Sequence, residues 1–219
     1  MEDFKLIIGV GVVTVLIVLG GIFLVSRPQK KDVSTPKPVD TSILIRADAR
    51  ESAKTATPVT IVEFGDFQCP ACGYAFPAVE KILSDYDGKV KLIFRHFPLD
   101  QHKNAMIASE AAESAEQEGK FFMMYRILYQ KQTEWSESSD PMQFFLKYAD
   151  EIRMDRDKFR KFIDDKKGEE RINQDKKDGI VLGVSATPTF FINGVKFEGT
   201  PDYQSLKAAV DTVLSTAKK

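Results

Sequence analysis

Apolar residues are arranged in different patterns along the chain, and each pattern predicts a different kind of secondary-structure element. Residues 6–25 form an uncharged apolar run, which as a helix is about 30 Å long and matches the core of a bilayer. Residues 59–64 form a short run rich in β-branched side chains, typical of a strand covered on both faces. From Ala75 onward, apolar residues recur at the spacing of an amphipathic helix.

The predicted elements alternate in an order that is typical of an α/β domain. A helix follows the first strand, and apolar residues alternate with lysines in a second strand at 90–94. Five helical segments between residues 102 and 182 come next, followed by strands at 189–192 and 195–198 around an Asn193-Gly194 turn. An amphipathic helix ends the pattern. This order predicts a central mixed β-sheet flanked by helices, with an α-helical subdomain inserted at about residues 101–183.

Four parts are predicted along the chain. Residues 1–5 are an N-terminal flank, 6–25 an uncleaved transmembrane helix, 26–56 a stalk containing proline and lysine, and 57–217 a single domain. The stalk composition cannot bury a core, although residues 43–45 and the polar stretch after them are candidates for a short strand and a helical turn that dock onto the domain. The remaining length of about 160 residues suits one domain. Acidic and basic residues nearly cancel, at 32 and 31, which argues against nucleic acid as a partner.

The two cysteines stand where the first strand meets its helix. Cys69 and Cys72 have the Cys-x-x-Cys spacing of a dithiol redox centre. Pro70 suits the first helical turn, so Cys69 is expected at the helix N-terminus, where unpaired N–H groups and the helix dipole stabilise a thiolate. Cys72 is one turn further on and is expected to be the less exposed, resolving thiol.

Glu63 is a carboxylate inside the otherwise apolar first strand. Two interpretations remain open for it. The strand edge can expose Glu63 to water, as is usual for a glutamate. Alternatively, Glu63 is buried with a raised pKa and exchanges a proton with Cys72.

Two segments resemble the DsbA-like, extracytoplasmic branch of the thioredoxin superfamily. Residues 62–72 (Val-Glu-Phe-Gly-Asp-Phe-Gln-Cys-Pro-Ala-Cys) are similar to its active-site segment, and residues 183–194 (Gly-Val-Ser-Ala-Thr-Pro-Thr-Phe-Phe-Ile-Asn-Gly) to its cis-proline segment. The resemblance covers roughly residues 57–217. It implies a thioredoxin fold, in which Glu63 serves the buried thiol and Thr187 with a cis Pro188 holds the substrate backbone.

The same resemblance implies a function. It points to a membrane-tethered thiol–disulfide oxidoreductase, with an oxidase favoured over an isomerase or reductase. Pro70 and Ala71 stand between the cysteines where some relatives have histidine, which implies a less oxidising disulfide. The implied partners are extracytoplasmic protein thiols and disulfides, a redox partner that resets the enzyme, and the membrane through residues 6–25. No cofactor is expected, because the disulfide itself carries two electrons.

The location of the domain is predicted on the extracytoplasmic side of the cell membrane. Lysine and arginine are more numerous after residues 6–25 than before them, which by itself favours a cytoplasmic domain. Large domains, however, are translocated largely regardless of charge. A cytoplasmic domain would favour a reductase instead.

Two alternatives from other classes compete with the enzyme. Cys69, Cys72, His96 and His102 are four candidate zinc ligands, although the histidines lack paired ligand spacing. Both histidines are more simply explained as structural residues. The second alternative is a membrane-tethered binding module that keeps the fold only as a scaffold.

Overall fold

The computed structural model describes residues 39–216. Strands and helices are numbered here in chain order. The strands are β1 (Arg50–Glu51), β2 (Val59–Gly65), β3 (Val90–His96), β4 (Thr189–Ile192) and β5 (Val195–Lys196). The helices are α1 (Thr41–Leu44), α2 (Pro70–Asp85), α3 (Ala105–Glu116), α4 (Phe121–Gln130), α5 (Gln132–Trp135), α6 (Met142–Glu151), α7 (Arg156–Asp164), α8 (Glu169–Val181) and α9 (Tyr203–Thr216).

A five-stranded sheet in the order β1-β3-β2-β4-β5 forms the centre of the domain. β2 is parallel to β3 and antiparallel to β4, and the two edge strands are antiparallel to their neighbours. Every residue of β2 except Thr60 is buried. The predictions of a mixed sheet and of a first strand covered on both faces are therefore confirmed.

Successive residues of β2 point to opposite faces of the sheet and enter two different apolar clusters. Val59 and Ile61 belong to the larger cluster, which includes residues of α2, α3, α4 and α6. Val62 and Phe64 belong to the smaller cluster on the other face. Glu63 shares the face of Val59 and Ile61, so its carboxyl group lies on the side of the larger cluster.

The inserted subdomain is helical, as predicted, and consists of α3 to α8 between β3 and β4. Its central helix is α3, whose buried positions are mostly alanine and serine. Such small side chains allow neighbouring helices to approach closely, and α3 contacts α4, α6, α7 and α8. The insertion thus has a core of its own that continues into the larger cluster over the sheet.

Residues 39–56 belong to the domain, so the predicted stalk at 26–56 is wrong over this part. α1 buries Leu44 completely, the backbone N–H of Val39 donates to the Gly194 carbonyl oxygen at 2.9 Å, and β1 pairs with β3. A helix of 4 residues and a strand of 2 residues are too short to show a hydrophobic period. Composition alone therefore suggested an extended segment.

The N-terminal flank, the predicted transmembrane helix at 6–25 and the stalk up to residue 38 lie outside the described residues. Within residues 39–216, no helix is both long and apolar enough to cross a bilayer. Membrane anchoring therefore stays a prediction.

A fully buried arginine joins the insertion to the sheet. Arg95 on β3 donates from Nε to Asp175 at 2.7 Å and from Nη2 to Asp178 at 2.5 Å, and both carboxylates are on α8. Its Nη1 donates to the carbonyl oxygens of Ile43 and Leu44, each at 2.8 Å. A buried charge is tolerated only with such pairing. Arg95 thereby holds the sheet, the insertion and the N-terminal segment in one arrangement.

We expect Asp175→Ala to lower the free energy of unfolding by about 3–5 kcal/mol, because it leaves the guanidinium of Arg95 buried without its main partner. Urea denaturation measures this loss. Lys81→Ala, which breaks an exposed pair with Asp85 on α2, is the matched control and should leave the midpoint nearly unchanged. Equal midpoints for the two variants would contradict the role given to Arg95.

Candidate active site

The junction of β2 and α2 presents Cys69 at the start of a helix. α2 begins at Pro70 and Cys69 is the capping residue before it, so the sulfur lies at the positive end of the helix. Cys69 is 6% exposed and Cys72 is 0% exposed, and both are free thiols. The predicted helix start and the predicted burial of Cys72 are confirmed.

The loop that leads to Cys69 is held by a buried aspartate. Asp66 Oδ1 accepts from the backbone N–H of Gln68 at 2.7 Å, and Oδ2 accepts from the backbone N–H of Leu99 at 2.9 Å. The same Oδ2 lies 2.7 Å from Nδ1 of His102. Asp66 therefore holds the loop before Cys69 against the segment that follows β3.

Hydrogen bonds lower the pKa of the Cys69 thiol from 9.0 to about 5. The largest contribution comes from the Cys72 thiol, and smaller ones come from Thr187 and from the backbone N–H groups of Cys72 and Ala71. Burial acts in the opposite direction but is outweighed. At neutral pH the Cys69 sulfur is thus almost entirely a thiolate, which is the nucleophilic form.

Cys72 behaves in the opposite way. Burial, the hydrogen bond to Cys69 and the charge of Glu63 together raise the pKa of the Cys72 thiol well above 9.0. The two sulfurs are one helical turn apart, yet one is a thiolate and the other a protonated donor to it. Cys72 can therefore react only when a nearby group takes its proton.

Glu63 is a buried carboxyl group whose charge acts on the Cys72 thiol. It is 1% exposed and pairs in the sheet with Phe94 on one side and Phe190 on the other. Burial raises the pKa of Glu63 to about 8, and the Tyr125 hydroxyl donates to Oε2 at 3.0 Å. The interpretation of Glu63 as a water-exposed edge residue is therefore wrong. A carboxyl group with this pKa can accept or give a proton near neutral pH.

The second predicted segment lies against the thiolate. The Thr187–Pro188 peptide bond is cis, which confirms the prediction made from the resemblance. The Cys69 sulfur lies 3.5 Å from the carbonyl oxygen of Thr187, although 118 positions separate the two residues. Thr187 is buried beside the sulfur, and Pro188, which follows it, is partly exposed.

Two residues of the helical insertion complete the site, and the sequence pattern did not single them out. Tyr125 binds Glu63, and Gln132 donates from Nε2 to the carbonyl oxygens of Phe67 at 2.7 Å and Cys69 at 2.9 Å. Tyr125 lies in the amphipathic helix α4 and Gln132 begins the short helix α5, both more than 50 positions after the cysteines. Only tertiary packing brings these two residues to the site, so no local sequence pattern marks them.

The four candidate zinc ligands are not brought together. His96 Nε2 lies 2.9 Å from Glu113, and His102 contacts Asp66 as described above. Among residues 39–216, no group of three or more His, Cys, Asp or Glu side chains is close enough to hold a metal ion. Each histidine is instead paired with a buried carboxylate, in keeping with a structural role.

The sequence model of the thioredoxin family matches residues 53–212, which is most of the chain. The chain belongs to the thioredoxin family. This confirms the predicted fold. The matched region begins at residue 53, inside the range first predicted as stalk, in agreement with the packing of that segment on the thioredoxin domain.

Similar proteins fall into two groups. A Na(+)/H(+) antiporter, NhaA 3 of Salinispora tropica, is 41% identical over 74% of this chain, but the match covers only 24% of that protein. The chain thus spans about a quarter of the length of such relatives. A probable disulfide bond formation protein D of Bacillus anthracis is 28% identical over 98% of this chain and 99% of its own length.

A solved structure shows the same fold. The crystal structure of oxidised BdbD from Bacillus subtilis superposes with a TM-score of 0.70 over 82% of this chain and 97% of that chain, at 22% sequence identity. This superposition confirms the thioredoxin fold over most of both chains.

We expect Cys72→Ala to raise the pKa of the Cys69 thiol from about 5 toward the ordinary thiol range of about 8.5, because the largest stabilising hydrogen bond is lost. The ultraviolet absorbance of the thiolate, followed against pH, measures this value. The matched variant Cys69→Ala should show no thiolate up to alkaline pH, since the remaining thiol is buried. A Cys69 pKa that is unchanged in Cys72→Ala would assign its stabilisation to the helix terminus alone.

Proposed function

We propose that the protein is a DsbA-type oxidase that introduces disulfide bonds into extracytoplasmic proteins, held at the membrane by residues 6–25. The observation that carries this proposal is the unequal ionisation of the two thiols. The interactions that stabilise the Cys69 thiolate lower the free energy of the reduced enzyme. They are absent from the oxidised enzyme, in which this sulfur is part of a disulfide. Stabilisation of the reduced form makes the disulfide a stronger oxidant.

The size of this effect follows from the pKa values. Lowering the Cys69 pKa from 9.0 to about 5 stabilises the dithiol at pH 7 by about two pKa units, because an ordinary thiol is still protonated there. Two units correspond to about 2.7 kcal/mol, or about 60 mV for a two-electron couple. The sign is that of a depressed pKa, so the stabilisation grows as pH rises above about 5 and disappears below it.

The reaction begins with the Cys69–Cys72 disulfide. A thiolate of the substrate attacks the Cys69 sulfur, the bond between the two cysteines breaks, and a mixed disulfide forms. Cys72 leaves as a thiolate in an apolar site, and Glu63, which is mostly protonated at pH 7, gives it a proton. The carbonyl oxygen of Thr187, beside the cis Pro188, is available to bind the backbone of an extended substrate.

A second thiolate of the substrate then attacks the substrate sulfur of the mixed disulfide. The substrate gains a disulfide bond and loses two electrons, and Cys69 leaves as the stabilised thiolate. The enzyme now holds both electrons as a dithiol and needs an oxidising partner to reform its disulfide. No cofactor is required, since the electrons stay on sulfur throughout. Run in reverse, the same steps reduce a substrate disulfide, which is the alternative function.

The Bacillus anthracis relative supports this assignment because it matches over nearly the whole length of both chains and is described as a disulfide bond formation protein. The antiporter activity of the other relatives is not carried over, since the match covers a quarter of their length.

We expect Cys72→Ser to accumulate mixed disulfides between Cys69 and partner proteins in cells, because the resolving thiol is missing. Non-reducing electrophoresis followed by mass spectrometry identifies the partners. Cys69→Ser is the control and should trap none. Captured partners should be exported proteins with cysteine pairs; absence of any trapped partner would favour a binding module, and cytoplasmic partners would contradict the proposed location.

The reduction potential should depend on pH with a bend near pH 5. Below the Cys69 pKa, reduction takes up two protons and the potential falls by about 60 mV per pH unit; above it, only Cys72 binds a proton and the slope is about 30 mV. Equilibration with glutathione at several pH values measures both slopes. A short peptide with the same Cys-Pro-Ala-Cys run should bend only near the ordinary thiol pKa of about 8.5. If the reduction potential of the protein changes slope at the same pH as that of the peptide, the basis for favouring oxidation is removed.

A further inference from the structure

A second carboxylate on α2 lies between the buried site and the surface. Glu80 follows Cys72 by two helical turns on the same side of the helix, with Phe76 between them. Its Oε2 accepts from Nε of Arg126 on α4 at 2.6 Å. The side chains of Glu80 and Arg126 are 26% and 40% exposed, so this pair reaches solvent whereas Glu63 does not.

Glu80 and Arg126 border a cavity of about 420 Å³ between α2, α4 and residues 52–55. Exposed residues at the end of α2 and in the turn after it, Ser84 and Asp87 among them, form the rim of this cavity. Solvent can therefore reach the Glu80 carboxyl group from this side of the domain, away from the Cys69 surface.

The inner oxygen of Glu80 faces the buried site. Glu80 Oε1 is buried and, within the described part of the chain, has no hydrogen-bond partner. The Tyr125 hydroxyl is close to Glu63, Glu80 and Cys72, since after burial the charges of these three groups contribute to raising the Tyr125 pKa. Tyr125 thus stands among the resolving thiol, the buried acid and the half-exposed acid.

The protonation state of Glu63 gives such a neighbour a chemical use. With a pKa of about 8, Glu63 is mostly protonated at pH 7, so it must release its own proton before it can accept the one from Cys72. It is 1% exposed. A second proton carrier between Glu63 and the surface would let this proton leave and return.

We propose that Glu80, positioned by Arg126, is the group that exchanges protons between Glu63 and solvent. This inference rests on the proposed function, because it gives a route to a proton that the thiol–disulfide reaction moves. When Cys72 resolves a mixed disulfide, its thiol proton passes to the Glu63 carboxylate and the new sulfur–sulfur bond releases the substrate thiolate. The proton then passes from Glu63 to the Glu80 carboxylate and on to solvent, and the oxidase direction uses the same path inward.

A purely electrostatic role for Glu80 makes a different prediction. The negative charge of Glu80 contributes to raising the Glu63 pKa, and the groups facing Glu80 are Arg126 and Tyr125 on α4, Glu63 on β2 and Asp87 at the rim. If charge were the whole effect, Glu80→Gln would shift the pH dependence of the Cys72 step to lower pH and so speed the step at pH 7. Loss of a proton carrier slows the step at pH 7 instead, because Glu63 is mostly protonated there and must pass its proton on before it can accept another.

The experiment oxidises the reduced full-length protein with oxidised glutathione and quenches the reaction with acid. Mass spectrometry then separates two steps: formation of the glutathione mixed disulfide at Cys69, and its resolution by Cys72. Glu80→Gln keeps the acceptor for Arg126 but cannot carry a proton. We expect it to slow the Cys72 step by about tenfold or more at pH 7, with the Cys69 step unchanged.

Two further measurements separate a proton carrier from a structural residue. Acetate, a small carboxylic acid that fits the cavity, should restore much of the rate in Glu80→Gln. In a Glu63→Gln background, adding Glu80→Gln should cause no further loss, because both residues act on the same proton. Asp85→Asn makes the same chemical change on an exposed residue of α2 and should leave both steps unchanged.

The outcomes are distinguishable. A shift of the pH midpoint to lower pH with no slowing at pH 7, equal slowing of both steps, absence of rescue by acetate, or an additive loss with Glu63→Gln would each overturn the role of Glu80. Failure of the wild-type protein to form or resolve the mixed disulfide would instead overturn the proposed function. Slowing of the Cys72 step at pH 7 that acetate relieves, and that is absent in the Glu63→Gln background, supports the route through Glu80.

Discussion

The hydrogen bond from the Cys72 thiol to the Cys69 sulfur is the interaction on which the site depends. It exists only while Cys72 stays protonated, and Cys72 stays protonated because it is completely buried. Burial of one sulfur therefore stabilises the charge on the other. Helix geometry supplies the rest, since Cys69 precedes the first turn of α2 and receives backbone N–H groups there.

This burial is supplied by the helical insertion. α4 covers the Glu63 side of the sheet and contributes Tyr125, while Gln132 on α5 fastens the backbone around Cys69. The insertion is in turn held to β3 by the buried ion pairs of Arg95 with α8.

Much of this arrangement could be predicted from the sequence, because its signals are local. The β-branched run before Gly65, Pro70 at the helix start and the two-residue spacing between the cysteines each fix a nearby element, and these elements are present. The docking of residues 39–56 was indicated only by the apolar residues 43–45, because α1 and β1 are too short to show a hydrophobic period. Tyr125 and Glu80 were missed because ordinary helix positions become significant only where tertiary packing places them beside Glu63.

The pKa values of Glu63 and Cys69 also link the redox state to stability. Burial raises the pKa of Glu63 from 4.5 to about 8. The free energy of unfolding therefore falls as pH rises from about 4.5 to 8, by about 3 kcal/mol at pH 7. The depressed pKa of Cys69 has the opposite effect and stabilises the folded dithiol by about 2.7 kcal/mol at pH 7, a contribution that appears as pH rises above about 5. This compensation exists only in the dithiol, because a disulfide has no thiolate. Oxidation removes the stabilisation that the Cys69 thiolate supplies and leaves the destabilisation that buried Glu63 causes. Folding therefore favours the reduced dithiol over the disulfide.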